Sequence, residues 1–169
     1  RTIERRFGAD GYRQCGQQEN LYATNIMSNM PEPGTKAPDF TVNNQDGKPV
    51  KLSSLKGKKI VLYFYPNDET PGCTEEACNL RDNYKVLLKQ GYEVLGISSN
   101  TELQHLPFQL LADVDKSVHN KYGTWGEKSM YGKKFMGTLR TTFLIDEKGV
   151  ITDVIKKVKT KDHTAQILK

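Results

Sequence analysis

The stretch Lys59–Pro66, KIVLYFYP, constrains the fold more than any other part of the chain. From Ile60 to Tyr65 it is a continuous run of apolar, β-branched and aromatic residues, with no position suited to face water. Such a run predicts a strand buried on both faces, and a strand of that kind needs a sheet covered on each side. YEVLGIS (Tyr92–Ser98) repeats the pattern, FQLLAD reads as a third strand, and RTTFLIDEKGVITDVIKK as a hairpin turning at Asp146 to Gly149. Between the first two strands, the loop NDETPG leads into a helix expected from about Cys73 to Gln90, with Pro71 in its first turn and Gly91 as its stop. DKSVHNKYG predicts a short helix. Upstream, DFTV and PVKL flank a turn at NQDG and precede a helical turn at SSLKG. Strand, helix and strand followed by a hairpin predict an α/β fold with a mixed central sheet flanked by helices.

A length of 169 residues suits one domain. Domain-like text begins at PEPGTKAPDF, so residues 1–30 are expected to be a disordered leader and residues 31–169 the folded domain. Cys15 then reads as a free thiol in that leader. No apolar run approaches the roughly 20 residues of a membrane-spanning helix, and no signal-peptide pattern is seen. One junction departs from the rules. Only nine residues, SNTELQHLP, separate the second and third strands, whereas a parallel crossover with its helix needs about a dozen. Either the strands are not parallel neighbours, or a crossover helix near Leu103–His105 is missing; the second is the reading favoured. HTAQILK reads as the first turns of a truncated C-terminal helix.

Twenty-five basic against twenty acidic residues give a net charge of +5. The charge lies in short clusters such as Lys56, Lys58 and Lys59, or Lys156, Lys157 and Lys159, which reads as solvated surface rather than as a nucleic-acid face. Three cysteines make no paired secretory framework, and His105, His119 and His163 are scattered without a zinc-type spacing. A redox or nucleophilic cysteine in a cytoplasmic setting is what remains.

The chemistry concentrates in YPNDETPGCTEEAC, residues 65–78. Cys73 falls in the first turn of the expected helix, where unpaired N–H groups and the helix dipole favour a thiolate. Helical spacing places it on an apolar stripe with Ala77, Leu80, Tyr84 and Leu87. Glu75 and Glu76 act against the thiolate, because nearby negative charge raises a thiol pKa. A cation from elsewhere is therefore required, and Arg140 is the candidate; a surface ion pair is the alternative for that residue. Cys78 lies five residues on, about 140° around the helix and about 7.5 Å along it, so the two Cα atoms stand about 8–9 Å apart. A disulfide tolerates roughly 7 Å. Should these cysteines bond, the first turns of the helix must unwind. The alternative for Cys78 is a small buried apolar residue.

FYPNDETPGCTEEACNLRDNY, together with GISSN, LPFQLLAD, WGEKSMYGKKFMG and RTTFLIDEKG, closely resembles the peroxiredoxins, and within them the bacterioferritin comigratory protein (PrxQ) branch. The resemblance runs from about Pro33 to Lys169, and the Pro-x-x-x-Thr-x-x-Cys signature is met by Pro66, Thr70 and Cys73. It implies a thioredoxin-like fold that reduces hydrogen peroxide and organic hydroperoxides with no metal or organic cofactor. By motif, Cys73 becomes the peroxidatic cysteine and Thr70 positions thiolate and peroxide. Pro66 shields the pocket from water, and Arg140 stabilises the thiolate and polarises the peroxide. The same resemblance makes Cys78 the resolving cysteine, in an intramolecular disulfide reduced by thioredoxin or a similar dithiol, and implies a monomer. Trp125 and Phe135 are expected to border the pocket or core.

Two other readings compete. A general thiol-disulfide oxidoreductase would share the fold but normally carries Cys-x-x-Cys, which is absent here. A redox-switched binding module would use the cysteines only to change shape.

Overall fold

The computed structural model describes residues 30–66, 71–100 and 106–168; the side chains of residues 71–73 and of Met130 lie outside that description. Three strands form the parallel part of the main sheet: β3 (Lys59–Phe64), β4 (Tyr92–Ser98) and β5 (Gln109–Ala112). Before them, β1 (Thr41–Asn43) and β2 (Pro49–Lys51) make an antiparallel pair, and a 3-10 turn covers Leu52–Leu55. The Asn44 side chain shapes the connecting turn by accepting the N–H groups of Asp46 and Lys48, both at 3.0 Å. The sheet is completed by β8 (Thr141–Ile145), antiparallel to β3, and β9 (Ile151–Ile155), in the five-strand order β5-β4-β3-β8-β9. The mixed sheet expected from the sequence is the one observed.

Alternation along β3 explains why its apolar run has no gap. Ile60, Leu62 and Phe64 enter one core with Phe143, Val118 and Tyr122. Val61, Tyr63 and Tyr65 enter a second with Leu80, Leu87 and Ile167. Each face of the strand is thus covered by a different layer. The second core is roofed by α1 (Pro71–Asp82), α2 (Tyr84–Lys89) and the C-terminal α4 (His163–Ile167), and the first by α3 (Ser117–Lys121) with the β1–β2 pair.

Gly96 marks the tightest point between β3 and β5. A Cβ there would lie 2.6 Å from Leu110 Cδ2 and 2.7 Å from Tyr63 Cζ. Both neighbours are fully buried, so neither can withdraw. Gly96→Ala is expected to destabilise the fold by about 1–3 kcal/mol, read as a lower urea midpoint; an unchanged midpoint would mean the layer is looser than this packing implies.

One expectation needs adjustment, and two points left open by the sequence are decided. The single helix from Cys73 to Gln90 is two helices, divided at Asn83, whose backbone leaves helical geometry at φ −103, ψ 8 while its N–H and its Nδ2 both donate to the Asn79 carbonyl, at 3.2 and 2.8 Å. Gly91 still stops the second helix, at φ +82. WGEKSMYGKKFMG, to which periodicity assigns no element, is a hairpin of β6 (Trp125–Met130) and β7 (Lys133–Thr138). Its turn residues Tyr131 and Gly132 both have positive φ, 52 and 76, as a two-residue hairpin turn requires. The short junction after Ser98 does join parallel neighbours, with Leu95 in register with Gln109. The expected missing segment near 103–105 lies outside the described residues, as do the expected leader up to residue 29 and Cys15.

Candidate active site

Strand register assembles this end of the molecule. Phe64, the last residue of β3, pairs with Thr141, the first of β8. The chain leaving β3 through Tyr65 and half-buried Pro66 therefore passes beside Arg140, which immediately precedes β8. After residues 67–70, α1 begins at Pro71, so Cys73 is the third residue of a helix starting at the carboxyl end of a central strand. Helix starts at such strand ends are where open α/β sheets place anionic groups. A cleft lined by Lys36, Asp39, Lys56 and Asp146 sits at the other end of β3 from the start of α1, near Ile60 and Ile145.

Arg140 is joined to α1 by an ion pair with the Glu76 carboxylate, across 64 positions of sequence. Glu76 is fully buried and the arginine side chain is 21% exposed. A buried carboxylate without a partner would cost several kcal/mol, so Glu76 dictates where the guanidinium sits. Its other oxygen lies 3.1 Å from Nδ1 of His163, a close approach outside hydrogen-bond alignment. His163, also fully buried, places Nε2 2.9 Å from the Thr142 hydroxyl.

Glu76 corrects one expectation. From the sequence, it and Glu75 read alike, as local charges opposing a thiolate. Glu75 does face outward, meeting Lys161 at 3.8 Å and the Thr160 hydroxyl at 3.0 Å. Glu76 instead faces the core, because the buried line on α1 and α2 runs through Glu76, Leu80 and Leu87 while Ala77 and Tyr84 are only half-buried. An acid three residues after Cys73 and four before Leu80, on the apolar face, is the sequence signal that marks it.

Among the predicted site residues, Arg140 is thus brought to the helix of Cys73 and Cys78, and Pro66 to its approach. Cys78 is half-buried and free. The backbone from Pro71 to Asp82 is one continuous helix, so Cys73 and Cys78 sit at helical separation. Thr70 and the Cys73 side chain lie outside the described residues. Trp125 packs its ring edge-on to buried His119, at 5.9 Å between centroids, with Lys116 over its face; Phe135 is exposed.

Comparison with known proteins decides the family. Residues 33–154 match the AhpC/TSA family. The chain assigned as the peroxiredoxin bcp of Coxiella burnetii is 49% identical over 145 residues, covering 81% of this chain and 96% of that one. The chain belongs to the AhpC/TSA family, as a peroxiredoxin of the Bcp type. Peroxiredoxin Bcp of Bacillus subtilis is 43% identical, with 81% of this chain and 92% of the other covered. Among solved structures, the bacterioferritin comigratory protein of Xanthomonas campestris superposes with a TM-score of 0.73 at 30% identity, over 81% of this chain and 94% of that one. The thioredoxin-like fold inferred from the resemblance is therefore the fold of this peroxiredoxin. No described helix is long and apolar enough to cross a membrane.

Proposed function

We propose that the chain is a thiol peroxidase that reduces hydrogen peroxide and organic hydroperoxides through Cys73, with Cys78 as an intramolecular resolving cysteine and thioredoxin or a similar dithiol as reductant. The observation that carries this reading is the Arg140–Glu76 ion pair, which supplies the helix of Cys73 with the cation that a thiolate needs. Alkyl peroxide reduction activity is ascribed to the Xanthomonas campestris relative, and that supports the same substrate class here.

The Cys73 thiolate attacks one peroxide oxygen and the O–O bond breaks. Its electron pair leaves on the other oxygen, which takes up a proton and departs as water or alcohol, while the sulfur is oxidised to sulfenic acid. Thr70 aligns thiolate and peroxide, Pro66 keeps water away, and Arg140 stabilises the thiolate and polarises the peroxide. The Cys78 thiolate then attacks the sulfenic sulfur, hydroxide leaves as water, and a disulfide forms. Thiol-disulfide exchange with the reductant restores both thiols. One chain holds both cysteines, so a monomer suffices, and a dithiol-driven cycle suits the reducing cytoplasm.

At helical separation the cysteines cannot bridge, so α1 must open between them. Its later half is the better anchored. Asn79 accepts hydrogen bonds from the Thr164 backbone N–H at 2.9 Å and hydroxyl at 2.7 Å, and donates to the Lys161 carbonyl at 2.9 Å. Leu80 is fully buried. Unwinding is therefore confined to the turns before Asn79, and it must break the Glu76 pairs. One equivalent of hydrogen peroxide should remove two alkylatable thiols, at 73 and 78, and lower the mass by about two hydrogens. Hydrogen exchange should then speed up at Glu76 to Cys78 but stay slow at Leu80. A product in which Cys78 remains alkylatable would reject the resolving role, and loss of protection through Leu80 would reject the partial unwinding.

A further inference from the structure

Two buried imidazoles hold the residues on either side of Arg140. His119 Nε2 lies 3.0 Å from the hydroxyl of Thr138, two residues before the arginine. His163 Nε2 lies 2.9 Å from the hydroxyl of Thr142, two residues after it. Both rings and both threonines are at most 1% exposed.

Each ring has an acid near its other nitrogen, and for His119 that acid orients the ring by a hydrogen bond. His119 Nδ1 is 2.6 Å from Asp113 Oδ2, and that carboxylate also accepts the backbone N–H of His119 at 2.8 Å and of Val118 at 3.2 Å. An ionised Asp113 only accepts, so Nδ1 carries a proton; in the neutral ring, Nε2 then accepts from the Thr138 hydroxyl. His163 Nδ1 faces Glu76, the carboxylate paired with Arg140. The segment bearing the guanidinium is thus tied at one end to α3 and at the other to α4, while Glu76 draws its side chain to α1.

We infer that His119 and His163 are positioning residues, which act through Thr138 and Thr142 to hold Arg140 at the helix of Cys73. The inference rests on the roles given above to Cys73 and Arg140. Neither imidazole need touch substrate. Leu139 N–H donates to the Thr124 carbonyl at 2.6 Å in the short link between β7 and β8, so the two threonines add side-chain anchors to a segment already held by its backbone, and a displacement of about 1 Å in the guanidinium it carries can lower a rate about 100-fold.

The test uses Thr138→Val and Thr142→Val, which remove the hydroxyls at nearly constant volume, and the corresponding serine variants, which restore them. Two quantities are read on the reduced full chain: the rate with hydrogen peroxide, and the pH dependence of Cys73 alkylation by iodoacetamide, followed by peptide mapping. Each valine variant should react with peroxide about 10- to 100-fold more slowly and need a higher pH for Cys73 alkylation, with serine recovering most of both. In an Arg140→Gln background, the valine changes should add nothing further. Valine variants that lose thermal stability yet keep the rate and the alkylation profile, or that multiply with Arg140→Gln, would overturn the inference. If the parent chain leaves peroxide untouched while its Cys73 profile still follows Arg140 and the threonines, the peroxidase reading fails and the positioning role stands.

Discussion

Replacing Cys73 by serine is expected to abolish thioredoxin-coupled hydroperoxide consumption, a loss of about 10³-fold or more. The hydroxyl of serine has no accessible anion near neutral pH and a far poorer oxygen-accepting centre than sulfur. The fold should be unaffected, since the replacement exchanges a single side-chain atom for a smaller one. Cys78→Ser should behave differently. Its first turnover proceeds at the parent rate, because Cys73 and Arg140 are untouched, and the sulfenic acid then accumulates. A Cys73→Ser chain that turns over at the parent rate would refute the peroxidase assignment, whereas full multiple turnover in Cys78→Ser would leave that assignment standing and remove only the resolving step.

Asp113→Asn carries the largest expected effect on stability. The carboxylate and the His119 ring are both fully buried, and each hydrogen bond that the carboxylate accepts, from the ring and from two backbone N–H groups, is worth about 1.5–3 kcal/mol. Burial alone would raise the Asp113 pKa, but the hydrogen bonds from the His119 ring and backbone and from Val118 outweigh it and hold the carboxyl below its ordinary value. A folded-state pKa that is lowered gives stability that is fully present above the unfolded value, about 3.9, and is lost as pH falls through the folded value. Urea midpoints of parent and variant should therefore differ by a constant amount above about pH 4 and begin to converge only below it, as pH falls toward the lowered folded value. A constant gap down to pH 3 would assign the stabilisation to packing rather than to charge. Because His119 leads on to Thr138, the same variant should also slow the peroxide reaction.

The layered fold is legible because it rests on local patterns. The unbroken run at β3 can only be satisfied by cover on two faces, and Gly91 and Asp146–Gly149 end their elements by backbone rules that need no partner. The β6–β7 hairpin is hidden in the sequence because its strands carry Lys128, Lys133 and Lys134 with little apolar alternation, and Tyr131-Gly132 is a less conspicuous turn than Asn-Gly. The helix break at Asn83 is a local change of one residue's backbone angles, which periodicity does not express.

At the site, Cys73 and Cys78 stand out because their significance is a matter of spacing along one helix. Arg140 follows from the need for a cation and from resemblance. Glu76, His163, His119 and their threonines do not follow from either, since nothing local distinguishes a buried paired acid from an exposed one, or a scattered histidine from an oriented one.

By itself, the sequence determined which strands would be buried, where the reactive sulfur would sit on its helix, and that its neighbour five residues on could be reached only by unwinding. These follow from repeat distances that every helix and strand obeys. Only the tertiary structure decided which acid pairs with Arg140 and which side chains hold the segment around it, because residues separated along the chain meet through the antiparallel pairing of β3 with β8 and the docking of α4 on α1, and buried charges take whichever partners that packing brings within reach.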